Sequence, residues 1–273
     1  MLARNPLNFH QVSKISLAPD AVDGIVFWTK NPLPMLDRLS ELKDYMYYFQ
    51  FTITPYGNDV EPHLPAKKDA IIAAFKRLSD EIGADRVIWR YDPIFINEKY
   101  SPDYHIRAFG KIMGQLRDYT RKVTISFLDT DYRGVKGNMK ELALMDFPPA
   151  AQTELSSQLA EIARSNGLVI DTCAEQIELK QFRIEHARCI DDELLGRLLE
   201  RDLDVNKDKN QRLQCGCVAS IDIGMYNTCK SGCRYCYANY NKNAVKGNFA
   251  KHNPHSPLIS GEVGEEDKIT PRK

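Results

Sequence analysis

YYFQFTIT (residues 47–54) and RVIWRYDPI (residues 86–94) enclose a stretch in which Ala70, Ile71, Ala74, Phe75, Leu78 and Ile82 recur at helical spacing. The two flanking runs are β-branched and aromatic almost throughout, the composition of strands covered on both faces. The six apolar positions between them form one stripe of a helix. Gly83 stands where a C-terminal cap belongs. Strand, crossover helix and strand make a βαβ unit, which implies parallel strands joined by a right-handed connection.

The same alternation extends in both directions. Upstream, GIVFWT (24–29) precedes the helix-like PMLDRLSELKDY. Downstream, a helix opens at Ser101-Pro102, a capping residue followed by proline at the first turn, and buries Ile106, Phe109, Met113 and Leu116. KVTISFLD (122–129) follows, then a helix carrying Leu155, Leu159, Ile162 and Ala163 that closes at Gly167. LVIDTCAE (168–175) reads as a fifth strand and, after a less regular stretch containing DDELLGRLLER, SIDIGMYN (220–227) as a sixth. The fold expected is α/β, either a barrel or a doubly wound sheet, in one domain spanning 1–246. Residues 247–273 read as a polar, irregular tail. Thr29-Lys30-Asn31, Thr54-Pro55-Tyr56, Arg90, Asp92, Asp129, Cys173 and Glu175 all fall at the C-terminal ends of strands, the edge where such sheets bind ligands.

Composition narrows the function. Thirty-seven basic residues balance thirty-seven acidic ones among 273, so no long-range field draws the chain to nucleic acid or to an anionic membrane. A nucleic-acid partner stays open only through a local basic groove. No apolar run has the length of a membrane span and MLARNPLNFH lacks a signal-peptide core, which predicts a cytoplasmic protein. Seven cysteines in that reducing compartment point to metal or cluster ligation rather than disulfides.

Three of them lie in NTCKSGCRYCYAN (227–239), within the expected cluster loop 227–240. Cys229, Cys233 and Cys236 have the spacing C-x3-C-x2-C, and Gly232 permits the tight turn between the first two. Such a loop can place three thiolates on three irons of a [4Fe–4S] cube and leave the fourth iron open to a small chelating molecule. S-adenosylmethionine, through its amino and carboxylate groups, is the expected ligand. An electron passed through the cluster would then break the sulfonium bond and start hydrogen abstraction. Two rivals remain at this stage. One is a zinc-stabilised binding module, with His252 or His255 as fourth ligand, acting on nucleic acid. The other is an iron–sulfur electron carrier.

The loop resembles the C-x3-C-x-aromatic-C motif of the radical S-adenosylmethionine superfamily, and YCYAN strengthens the likeness. The resemblance implies a partial parallel (β/α)6 TIM-like barrel, a flavodoxin, ferredoxin or reductase as electron donor, and a substrate of unspecified class. Because the motif follows five βα-like units instead of the first strand, the expected barrel is circularly permuted, with 220–227 beside GIVFWT. RNPLNFHQVSKISL, VFWTKNP, YYFQFTITPYG, VIWRYDPI, DTCAE, CGCVASIDIG and NTCKSGCRYCYANY together resemble a bacterial family termed domain of unknown function 1848. Its members usually carry a further segment with an S-R-R-T-D-I-P-like stretch ahead of the point matching Arg4-Asn5-Pro6. If that segment supplies a strand or a site residue, the chain given would be an incomplete or impaired form. TKNP, DPI and YCYA show a fainter similarity to the spore photoproduct lyase branch, too slight to transfer a substrate.

Cys173, Cys189, Cys215 and Cys217 are sufficient for a second, closed site holding zinc or an auxiliary cluster, or else two of them are packed core thiols. Tyr235 is expected to lie against adenine. Arg90 and Asp92, two apart on a strand, share a face and either reach the cavity or form a structural ion pair. Lys30 and Thr52, together with Thr54 and Glu175, are candidate contacts to cofactor or substrate. Trp28, Tyr56 and Trp89 either stack a base at the mouth or fill the core. His10, His63, His105 and His186 have no mutual spacing that makes a metal site.

Overall fold

The structure, a computed structural model, describes residues 1–6, 8–65 and 68–272. A hairpin of β1 (Leu2–Arg4) and β2 (Gln11–Ile15) leads into six strands that pair in parallel and in chain order. They are β3 (Ile25–Thr29), β4 (Tyr47–Thr52), β5 (Val87–Ile94), β6 (Lys122–Phe127), β7 (Val169–Thr172) and β8 (Glu185–His186). Between them come α1 (Leu33–Leu36), α2 (Lys68–Ile82), α3 (Pro102–Leu116), α4 (Arg133–Leu142) and α5 (Pro149–Ser165). After the sheet follow α6 (Asp192–Leu199), α7 (Lys242–Ala250) and β9 (Lys268–Arg272).

Helix boundaries follow the sequence signals. The Ser101 hydroxyl accepts a hydrogen bond from the Tyr104 amide at the start of α3, with Pro102 at the first helical position. Such a cap is worth about 1 kcal/mol. Gly83 and Gly167, after α2 and α5, take positive φ angles of 94° and 75°. The PMLDRLSELKDY stretch forms only the short α1, opened by Pro32 and Pro34 at its N-terminus, and a 3-10 turn.

Strand residues divide by face. Phe49, Phe51, Trp89, Tyr91, Val123, Ile125 and Ile170 pack with Phe75 and Leu78 of α2, Phe109 and Met113 of α3, and Leu159 and Ala163 of α5 in one core. Burying each of these large side chains contributes about 2 kcal/mol. The opposite face carries a polar row, for in-register pairing joins Thr52 to Arg90, Arg90 to Thr124, and Thr124 to Asp171. Residues paired in register on parallel strands point to the same side. Arg90, Thr124 and Asp171 are buried there. At one end of that face, Leu194 and Leu195 of α6 cover Tyr48 and Ile88. The strands are therefore apolar towards α2, α3 and α5, and on the other side carry both the polar row and the apolar Tyr48–Ile88 pair under α6.

Two expectations need correction. Residues 219–225 belong to no helix or strand, and the sixth strand is Glu185–His186. In SIDIGMYN the side chains satisfy nearby backbone: Asp222 accepts from the Gly224 amide at 2.7 Å, and the Thr228 hydroxyl donates to the Met225 carbonyl at 2.6 Å. Short polar side chains that bond locally in this way compete with a strand ladder. The expected pairing of 220–227 beside GIVFWT is therefore not formed, since among the described residues β3 pairs with β4 alone. The second correction concerns 247–273, which is not irregular throughout. It contains the end of α7, and β9 pairs in parallel with β2, with Arg4 clamped to Asp267 at 2.6 Å. Among the described residues no helix is long and apolar enough to cross a membrane.

Candidate metal and cofactor site

The cysteine loop is closed at its base by Asn227. Its amide donates to the Ala238 carbonyl at 2.9 Å, and its side-chain oxygen accepts from the Tyr240 and Asn241 amides at 3.0 and 3.1 Å. The Asn248 side chain of α7 adds a bond to the Asn227 carbonyl. Asn227 itself takes φ 57°, a left-handed conformation that asparagine tolerates better than most residues. Gly232 takes φ 66°, and a Cβ there would lie 2.9 Å from His63 Cδ2. That turn therefore requires glycine on two counts.

The loop is tied to the segment after β4. Arg234 N–H donates to the Val60 carbonyl at 3.0 Å and His63 N–H to the Ser231 carbonyl at 3.3 Å. Asn138 of α4 donates to the Arg234 carbonyl at 2.8 Å. Beneath it lies Glu61, only 1% exposed. Glu61 accepts from Thr54 at 2.6 Å, from Lys68 at 2.6 Å and from the Tyr235 hydroxyl, and pairs with Lys30 at 3.2 Å. Burial alone would raise the Glu61 pKa, but the Lys30 and Lys68 ammonium groups hold it below the ordinary carboxylate value. Lys30 Nζ is buried, lies 5.1 Å from the Tyr235 ring centre, and makes no hydrogen bond among the described residues.

Cys229 is exposed, Cys236 half-buried and Cys233 buried. Burial pushes the Cys233 thiol up to about 12 and raises Cys236 as well, while the Lys30 charge pulls both down. Cys229 and Cys233 open on a cleft of about 950 Å³ with His63, Lys230, Lys246 and Phe249 in its walls. A smaller hollow of about 420 Å³ beside Phe27 and Trp28 has no thiol in its lining. Tyr235 does not line the large cleft. Its ring is buried against Tyr56 and its hydroxyl is committed to Glu61, so it supports the loop from below instead of facing an adenine in the cleft.

A second group of thiols forms at the end of the polar row. Cys173 continues β7, its amide bonded to the Ile125 carbonyl at 2.9 Å. Cys189 follows β8, and Cys215 and Cys217 pack against it in one buried cluster. The sulfurs of Cys173 and Cys189 are 3.5 Å apart. The Cys217 sulfur accepts from the Cys189 and Ile190 amides at 3.2 and 3.4 Å. Arg90 donates from Nη1 to the Cys189 sulfur at 2.9 Å and from Nε to Asp92 at 2.9 Å. Burial opposes the Arg90 charge, yet Asp92 more than restores it. The Arg90–Asp92 pair is thus part of this thiol cluster, and Gln50 joins it by donating to the Cys189 carbonyl at 2.9 Å.

The remaining candidates are dispersed. Thr52 sits in register with Arg90 at the end of β4. Glu175 accepts from the Phe127 amide at 2.7 Å, and burial raises its pKa to about 7. Tyr56 and Trp89 are core residues and Trp28 is exposed. The His252 ring engages the Ile259 carbonyl at 2.7 Å. Among the described residues, no three His, Cys, Asp or Glu side chains are arranged to share one metal ion. Sequence reasoning missed Glu61 and Asn227. Each is a lone polar residue in a loop and nothing in the pattern separates it from solvated neighbours. Gln50 was missed because it sits inside the apolar run YYFQFTIT, the one signal that could have exposed it.

The sequence pattern of the family described as "Domain of unknown function (DUF1848)" matches residues 1–238, and the chain belongs to that family. The match ends within the cysteine loop, just after Cys236, and α7 and β9 lie beyond it. No curated protein and no solved structure matches the chain.

Proposed function

We propose that this member of the DUF1848 family is a radical S-adenosylmethionine enzyme, with Cys229, Cys233 and Cys236 holding a [4Fe–4S] cluster at the mouth of the 950 Å³ cleft. One observation carries the reading: a C-x3-C-x2-C loop, braced from several sides, is tied to the segment that follows β4, on the edge where a parallel sheet binds ligands. The residues fit the group. A single zinc ion needs its donors within about 4 Å of one another. A cube receives each thiolate on a separate iron, so its three donors need not converge on one ion, and among the described residues they do not. Lys30, a buried ammonium without a hydrogen bond among the described residues, gives a counter-charge on the inner side of Cys233 and Cys236.

When bound, the cluster supplies the electron that breaks the sulfonium bond and initiates hydrogen abstraction. The chain's own residues do the rest. Asn227 and Gly232 fix the curvature of the loop, and Tyr235 with Glu61 fixes its height above the sheet. His63, Lys230 and Lys246 line the cleft in which the nucleoside and an anionic substrate would bind. The sheet is read as part of a (β/α)6 barrel. Its strands follow chain order without a reversal, its crossover helices share one apolar core, and its polar row occupies the other face. An electron donor of the flavodoxin, ferredoxin or reductase type is then required.

Anaerobic reconstitution with iron and sulfide tests this. The expected result is a brown protein holding about four irons at this loop, and 5′-deoxyadenosine released after reduction with S-adenosylmethionine. The Cys229→Ala, Cys233→Ala and Cys236→Ala variants should abolish release. Colourless protein with stoichiometric zinc at the loop, or a cluster that accepts electrons but leaves S-adenosylmethionine intact, refutes the proposal.

A further inference from the structure

We infer that Cys173, Cys189, Cys215 and Cys217 form a second metal centre, a four-thiolate site for zinc or an iron–sulfur cluster, with Arg90 as its buried counter-charge. Four thiols from three separate parts of the chain gather in one cluster: the end of β7, the segment after β8, and the segment 215–217. Nothing in the apolar core requires them there. One sulfur–sulfur distance is already close to that of a tetrahedral thiolate site, with Cys173 3.5 Å from Cys189. Sulfur–metal bonds of about 2.3 Å place the sulfurs of such a site about 3.8 Å apart. Among the described residues the four sulfurs are not arranged around one point, so loading a metal would draw them together.

Two further observations point to a ligand. The Cys217 sulfur accepts two backbone amide bonds, from Cys189 and Ile190, the pattern of donors that stabilises a thiolate at a metal and orients it. Arg90, only 5% exposed, directs a guanidinium nitrogen at the Cys189 sulfur. A buried guanidinium against a neutral thiol gains little, whereas against a metal-bound thiolate it makes a charge-assisted bond. Gly216 allows the two short-spaced ligands to lie under the Ala187 carbonyl, since a Cβ there would stand 3.0 Å from that oxygen. Loading releases the thiol protons: four thiols and one Zn²⁺ give a dianionic tetrathiolate and four protons, and Arg90 offsets part of that charge.

The assignment is independent of the radical reading, and the experiment separates the two. The full chain carrying C229A, C233A and C236A lacks the loop ligands altogether. Purified anaerobically, it should retain about one zinc or, if brown, about four irons per chain. Stripped of metal, it should take up Co²⁺ with about 1:1 saturation and an intense thiolate-to-cobalt absorption. Adding C217S should weaken Co²⁺ binding about tenfold or more, with the circular dichroism unchanged. The Co²⁺ spectrum of the triple variant stands even if the added substitution does not fold. Absence of both metal and thiolate absorption, a Cys173–Cys189 disulfide in the anaerobic protein, or Co²⁺ binding indifferent to C217S overturns the proposal.

Discussion

His105 should make the stability of this protein fall steeply on mild acidification. The ring is fully buried, with Nε2 at 2.9 Å from the Phe95 carbonyl and Nδ1 at 2.9 Å from the Tyr91 hydroxyl. A carbonyl only accepts, so Nε2 carries the proton and Nδ1 accepts from Tyr91. Burial lowers the pKa from 6.5 to about 4, against a smaller upward pull from Phe95. The group is a base with a depressed folded value. Its contribution is therefore complete above pH 6.5, where folded and unfolded chains are both neutral. It is lost as pH falls towards 4, where the unfolded chain has gained a proton that the folded chain refuses. The gap of about 2.5 pH units corresponds to about 3 kcal/mol, arriving at about 1.4 kcal/mol per pH unit. Urea unfolding of the wild type and of His105→Gln from pH 7.5 to 4 isolates it, because carboxylates elsewhere titrate alike in both. The stability advantage of the wild type should shrink by about 3 kcal/mol over that range. A difference that stays constant refutes the neutral buried ring.

Glu61→Gln should cost about 3 kcal/mol, because it leaves the buried Lys30 ammonium without a counter-charge, and should expose the 227–241 loop to protease. Denaturant titration and limited proteolysis check the two effects, and an unchanged loop would separate Glu61 from its support. Asp267, held by Arg4 at a pKa of about 2, should titrate there by carbon NMR and return towards the ordinary carboxylate value in Arg4→Met. Its contribution to docking β9 is present above the unfolded value of about 3.9 and is lost as pH falls towards 2.

The parallel sheet was legible because its crossovers announce themselves twice, by apolar stripes at 3.6-residue spacing and by caps such as Ser101 and Gly83. Local signals of that kind survive folding because tertiary contacts agree with them. SIDIGMYN failed for the opposite reason. Its alternation of Ile221, Ile223 and Met225 imitates a strand, yet Asp222, Asn227 and Thr228 find nearby backbone partners that a ladder would have to displace. β8 went unseen because two residues carry no periodicity, and β9 because a strand of exposed Lys268, Thr270 and Arg272 has the composition of a tail.

The candidate site divides along the same line. Spacing exposed the cysteines, since C-x3-C-x2-C and C-x-C are local patterns, but the cations that accompany them are set by register. Arg90 belongs with Cys189 because Thr52, Arg90, Thr124 and Asp171 align across four strands. Lys30 belongs with Cys233 because the loop of Glu61 folds back over the end of β3. Burying either cation costs several kcal/mol unless negative charge stands beside it. Asp92 supplies that charge for Arg90, and Glu61 for Lys30. Glu61 also accepts from Thr54, Lys68 and Tyr235, and Arg90 reaches the Cys189 sulfur from Nη1 while its Nε and Nη2 hold Asp92. A chain whose composition sums to zero thereby places one buried positive charge at each thiol group, the distribution two anionic metal–thiolate centres on one sheet edge would require.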